Sequence, residues 1–179
     1  MAVVVPFNRD WAEYFEIIKE FLGQSLEGNF LGIEHIGSTS IPGMVAKPII
    51  DIDIVIAAGM FEIVKAKLEN AGYIHQGDKG LKGRESFRYI AGKAQFYNHH
   101  LYVLQAGNIH LRKHLAFKDY LIKNPELILK LSEYKIKISK EVNCDRKEYQ
   151  KLKEQSKFLQ SLVEDAMSDP DFQSEYFDC

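Results

Sequence analysis

Apolar positions along the chain follow two periodicities, and the changes between them mark out the elements. Trp11, Tyr14, Phe15, Ile18 and Leu22 recur at helical spacing, which predicts a first helix capped by Asn8 and ending near Gly28. Residues 31–36 read as a short strand, and residues 37–43, GSTSIPG, as turn chemistry throughout. Residues 49–57, IIDIDIVIA, are β-branched and alternate with period two, which predicts a strand. Phe61, Val64 and Leu68 then mark one face of a helix closing near Gly72. A short strand at 73–76 and a flexible glycine-rich loop at 77–83 follow. Two strands, 85–91 and 95–105, are expected to form a hairpin about a tight turn at Gly92 and Lys93. From Asn108 the pattern is helical, with Pro125 placed to begin a new helix and Asp145 to cap a last one running through Met167. Strands mixed with helices, then helices alone, predict an α+β fold. The expected organisation is an α+β core over 1–107, a helical part over 108–168 packed on the same domain, and an acidic tail over 169–179.

The 179 residues suit one domain, and with 46% hydrophobic and 27% charged side chains they need no staples to fold. No apolar run approaches the roughly 20 residues that span a bilayer, and the opening MAVVVPFNRDW lacks the basic start of a signal peptide. Cys144 and Cys179 form no metal-ligand spacing and fit a reducing compartment, so the expected location is cytoplasmic. A net charge of −2 gives no global signature of nucleic-acid binding. Its distribution is uneven: residues 118–157 carry eleven basic against seven acidic side chains, whereas 161–179 carry six acidic and none basic. The ordinary readings are a solvated basic helix face and a solvated, frayed tail.

The chemistry concentrates in HIGSTSIPGMVAKPIIDID, residues 35–53. On a strand, Asp51 and Asp53 project to one face, while Ile50, Ile52 and Ile54 point the other way and can enter a core. Two adjacent carboxylates repel, and a divalent cation with a taste for hard oxygen, such as Mg²⁺, is the usual compensation. Water on a half-covered sheet is the plainer alternative. Upstream, Gly37 and Ser38 open a turn whose N–H groups and hydroxyls (Ser38, Thr39, Ser40) can cradle an anion. A cradle beside a carboxylate strand is the layout that phosphoryl chemistry uses.

Gly37-Ser38 followed by Asp51-x-Asp53 resembles the signature of the polymerase-beta-like nucleotidyltransferase superfamily. More closely, HIGSTSIPGMVAKPIIDIDI resembles the corresponding block of the GrpB family. The likeness continues in VVPFNRDWAEYF, GLKGRESF and HLAFKDYLIKNPELILKLSEYK, and covers most of residues 3–138. The resemblance implies a nucleotidyltransferase-like fold, a short mixed sheet flanked by helices with a helical C-terminal part. It implies phosphate-holding roles for Gly37 and Ser38, and metal-ligating, catalytic roles for Asp51 and Asp53 with Mg²⁺ or Mn²⁺. The expected ligand is a nucleoside triphosphate or another phosphorylated small molecule. A third carboxylate would come from the strand FYNHHLYV, where His99, His100 and Tyr102 stand instead; His100 is a candidate metal ligand in its place.

Lys47 is placed either to pair with Asp51 or to touch a phosphate, and Arg84 either to bind a phosphate or to be an exposed hairpin charge. His35 reads as a packed, hydrogen-bonded side chain. His110 and His114 have a spacing that can bind metal, without the Glu of His-Glu-x-x-His or a third ligand. Two functions follow: a metal-dependent nucleotidyltransferase or nucleotide binder, or a catalytically inactive module with a regulatory or protein-binding role. GrpB-like segments fused to a dephospho-coenzyme A kinase point toward an accessory role in coenzyme A metabolism.

Overall fold

The computed structural model describes residues 3–90, 96–143 and 145–177. Its elements are α1 (Asp10–Leu26), β1 (Gly32–Ile36), a 3₁₀ turn (Ser38–Ser40), β2 (Ile50–Ile56), α2 (Phe61–Asn70), β3 (Tyr73–His75) and β4 (Arg84–Tyr89). They continue with β5 (His99–Gln105), α3 (Ile109–Lys123), α4 (Pro125–Glu141), α5 (Arg146–Glu154) and α6 (Lys157–Met167). The five strands form one mixed sheet in the order β1-β2-β5-β4-β3, in which β2 and β5 run parallel and the other neighbours antiparallel. The α+β expectation holds, and no helix among the described residues is long and apolar enough to cross a membrane.

The alternation in β2 gives the sheet two unlike faces. Ile50, Ile52, Ile54 and Ile56 enter the main core against Trp11, Phe15, Ile18 and Leu22 of α1 and Val64 and Leu68 of α2. Each such side chain contributes about 1.5–3 kcal/mol by leaving water. In-register strands carry cross-strand partners on one face, so Asp51 and Asp53 of β2 share theirs with His100 and Tyr102 of β5. The antiparallel pairing of β4 adds Ser86 opposite Tyr102, and Arg84 opposite Leu104.

Helix α3 lies over this polar face. Its Leu111 packs with Val55 and Leu104, and His114, one turn further on, is thereby held above the carboxylates. Helices α4 and α6 clamp the loop between the 3₁₀ turn and β2: Ile41 and Met44 pack with Leu121, Ile128, Leu131 and Leu162. The start of the chain is tied to the same loop by a one-residue bridge from Val5 to Ala46, too short to leave a strand pattern.

Four expectations need correction. The last helix is two, because Ser156 accepts a hydrogen bond from the N–H of Leu159 and so caps a new helix where a continuous one was expected. Asn8 accepts from the N–H of Asp10 at 3.0 Å but stands one residue before the cap position, held by Arg9. The hairpin register is antiparallel as expected, yet β5 begins only at His99, and the turn at Gly92 and Lys93 lies outside the described residues, as do Cys144 and Cys179. The acidic tail is docked as far as it is described. Tyr176 is buried, its hydroxyl donates to Glu34 Oε1 at 2.7 Å, and its carbonyl accepts from the N–H of Gly107. Phe172 and Phe177 flank the Arg112 guanidinium, so cation–π contact offsets the tail's missing basic residues.

Candidate functional site

The glycine–serine turn and the aspartate strand meet at one end of the sheet, at the mouth of a cleft of about 720 Å³. Gly37 has φ +69° and ψ −172°, a conformation that only glycine adopts readily, and a Cβ there would lie 2.5 Å from Asp51 Oδ2. The close approach of turn and strand therefore requires glycine on two grounds. The turn's hydroxyls divide by task. Ser40 donates to the carbonyl of Gly37 at 2.7 Å, and Thr39 donates to the carbonyl of Ile49 while sharing a hydrogen bond with buried His35. These two shape the turn, and of the three expected cradle hydroxyls Ser38 alone is engaged from across the cleft. His35 is packed and hydrogen-bonded as expected, stacked on Phe15, and burial pushes it down to about 4.

The partner of Ser38 is a residue that the sequence did not single out. Lys135 of α4 is only 2% exposed, and its Nζ donates to Ser38 Oγ at 2.7 Å and to the carbonyl of Val45 at 3.1 Å. It has no carboxylate partner among the described residues, and burial, with the nearby charge of Lys153, holds it well below the usual lysine range. Lys47 does not pair with Asp51: it donates to Gln150 Oε1 at 2.8 Å and lies over the ring of Tyr149. Arg84 is half-buried rather than an exposed hairpin charge. Its guanidinium stacks over Tyr102 at 4.4 Å, and its Nε is buried without a hydrogen bond among the described residues. With Lys113 and Lys153 the cleft lining carries four cationic side chains besides the buried Lys135 amine, against the carboxylates of Asp51, Glu154 and Glu164.

The two aspartates share a face but not an environment. Asp51 is partly exposed and accepts from His100 Nδ1 at 2.9 Å. Asp53 is fully buried, and its Oδ2 stands 2.7 Å from His114 Nδ1, while its Oδ1 has no hydrogen-bond partner among the described residues. Burial raises the Asp53 carboxyl above the usual range, against the opposing pull of His114. His110 does not join His114 in a metal site; the helical spacing serves to set His114 on Asp53 instead. Asp119 pairs with Lys123 at 2.7 Å, an ordinary helix-surface contact.

These donors do not fit the two-metal centre that the resemblance implies. Each carboxylate has one oxygen engaged by an imidazole, Asp53 is sealed beneath α3, and His100 and Tyr102 occupy the β5 positions opposite Asp51 and Asp53. Among the described residues no three His, Cys, Asp or Glu side chains are gathered so that they could hold a metal ion. Imidazole and phenol do not bring the negative charge that a Mg²⁺ pair prefers. Each of the adjacent carboxylates is hydrogen-bonded by a histidine instead.

The same arrangement of turn, sheet and covering helices is found in a solved relative. The crystal structure of conserved protein GrpB from Enterococcus faecalis superposes with a TM-score of 0.78 at 30% identity, over 92% of this chain and 97% of that one. The UPF0157 protein YqkA of Bacillus subtilis is 36% identical over 69% of this chain, and the UPF0157 protein PA4798 of Pseudomonas aeruginosa 30% identical over 85%. The alignments span 36% and 63% of those two relatives, so this chain matches only part of each. The GrpB protein family model matches residues 1–164, which takes in the turn, both aspartates, both of their histidines and Lys135. The chain belongs to the GrpB family.

Proposed function

We propose that the cleft binds a phosphorylated small molecule, with a nucleoside triphosphate as the first candidate. Its phosphates would sit against the Gly37-Ser38 turn, beside the Lys135 amine bonded to Ser38 and within the same lining as Lys47 and Arg84. The carrying observation is Lys135: a buried lysine with no counter-ion among the described residues, hydrogen-bonded to the cradle hydroxyl of Ser38. Burying an amine without an acid is costly, and an anionic ligand offsets that cost by restoring the proton and the ion pair. The Nε of Arg84, buried without a hydrogen bond among the described residues, supports the same reading.

The test is a thermal-shift screen with the four ribonucleoside triphosphates, coenzyme A and dephospho-coenzyme A. A ligand at a hundred times its Kd adds about 2.7 kcal/mol, which moves Tm by several degrees. Lys135→Met, which keeps the aliphatic packing, should abolish the shift; a panel that shifts nothing, or an undiminished shift in the variant, overturns the reading. His100 and Tyr102 at the β5 positions favour a second reading, a catalytically inactive module with a regulatory or protein-binding role. A stoichiometric protein partner recovered by a chain that binds no phosphorylated probe would support it.

A further inference from the structure

The histidine that seals Asp53 has one ring nitrogen committed and one free. His114 Nδ1 meets Asp53 Oδ2 at 2.7 Å, the imidazole is partly exposed and lines the cleft, and Nε2 makes no hydrogen bond among the described residues. A carboxylate can only accept, so Nδ1 carries the hydrogen and Nε2 keeps its lone pair. A buried acid that fixes the tautomer and orientation of a partly exposed imidazole is the relationship on which acyl-transfer triads depend. Here it lines the same cleft as Arg84, Tyr102 and the Ser38–Lys135 pair.

A purely structural account, a polar tie between α3 and β2, leaves two features unexplained. The imidazole end of the tie lines the cleft, although Leu111, Val55 and Leu104 already hold the helix on the sheet. And the buried partner is the acid, the group whose desolvation is costly, while the imidazole keeps access to the cleft.

We propose that His114 is the general base of this site and Asp53 its positioning residue, in a hydroxyl-to-phosphorus transfer that a carboxylate–imidazole pair supports in place of a metal centre. The proposal rests on the phosphorylated-ligand reading above. The acceptor, an alcohol or water, attacks a phosphorus of the bound phosphoanhydride; its O–H proton passes to His114 Nε2 as the new P–O bond forms. The P–O bond to the leaving phosphate breaks, that phosphate departs with the electron pair beside the lysine amines, and the imidazolium returns the proton to it or to solvent. Asp53 stays ionised throughout and stabilises the imidazolium.

Two substitutions separate the base from the tie. In His114→Asn the amide nitrogen takes the place of Nδ1 and can still donate to Asp53, but nothing replaces Nε2. The full chain, incubated with each ribonucleoside triphosphate in water containing glycerol as a surrogate alcohol, should release phosphate or pyrophosphate from the nucleotide that the thermal-shift screen shows to bind. His114→Asn should bind that nucleotide as the parent does and lose turnover by about 10²- to 10⁴-fold. Asp53→Asn should also lose turnover, and ¹⁵N NMR of the parent should show neutral His114 as the Nδ1–H tautomer. Equal turnover in His114→Asn, an Nε2–H tautomer in the parent, or a bound nucleotide left intact by the parent overturns the role of His114 while the binding reading stands. If no phosphorylated probe binds, both fall together.

Discussion

Asp51 Oδ2 fills the space in which a side chain at Gly37 would begin, 2.5 Å from where a Cβ would stand. The other Asp51 oxygen accepts from His100, so β2 is tied to its parallel neighbour β5 through the carboxylate against which the turn packs. Gly37→Ala would meet both the clash and a φ of +69° that L side chains resist. The variant should be about 1–3 kcal/mol less stable by urea denaturation, and its His100 ring resonances should move. A variant as stable as the parent, with unmoved resonances, would show that the turn tolerates displacement.

The stability of the fold should fall in mild acid because of His35. Burial holds its folded value at about 4, below the unfolded 6.5. Between those two values the unfolded chain binds a proton that the folded chain refuses, so stability drops as pH falls from about 6.5 to about 4, by about 3 kcal/mol from this group. Asp53, raised by burial, acts in the opposite sense just above its unfolded value, so the parent curve alone does not isolate His35. His35→Gln keeps a donor toward Thr39 without the titration. Urea unfolding of both proteins across this range should show the drop in the parent minus variant difference; parallel curves would refute it.

The tail should contribute measurably to stability. Tyr176 packs with Val55, Leu104 and Leu111, and Gly32 leaves the gap that its hydroxyl enters. Removing a well-packed aromatic costs about 3–5 kcal/mol, and a terminal segment that can detach should show the lower end of that range. Tyr176→Ala is expected to shift the urea midpoint accordingly, with little change in slope, while Tyr176→Phe should cost only the hydrogen bond, about 1 kcal/mol.

Ligand binding should not require a divalent cation. With a histidine on each aspartate, four cationic side chains along the cleft and the Lys135 amine that a bound anion would protonate, the phosphates have their neutralising charge in the protein itself. The thermal shift from a nucleoside triphosphate should be at least as large in EDTA as in Mg²⁺, since Mg²⁺ competes for the same phosphate oxygens. A shift seen only with Mg²⁺ or Mn²⁺ would return Asp51 and Asp53 to the role of metal ligands.

What was legible along the chain was whatever rests on local pattern. The period-two run through β2 separates four isoleucines from two aspartates, and the structure places the isoleucines in the core for that reason. Gly37 and Ser38 mark a turn by their own backbone and hydroxyl chemistry, and Pro125 marks a helix start by its missing N–H. Ser156 is a cap residue inside a helical stretch, and the helical periodicity on both sides hides the break that it makes.

What the sequence by itself determined is therefore the elements, the two faces of β2 and the position of the glycine–serine turn, because backbone preference and side-chain alternation act within a few residues. Only the tertiary structure decided what covers the polar face. Lys135 reaches Ser38 across 97 residues and His114 reaches Asp53 across 61, each from a helix whose periodicity says which side is buried but not against what. The difference between an exposed carboxylate pair open to metal and one clasped by two imidazoles lies in where α3 and β5 pack on β2. That placement is set by apolar contacts such as Leu111 with Val55 and Leu104, which carry no trace in the motif they enclose.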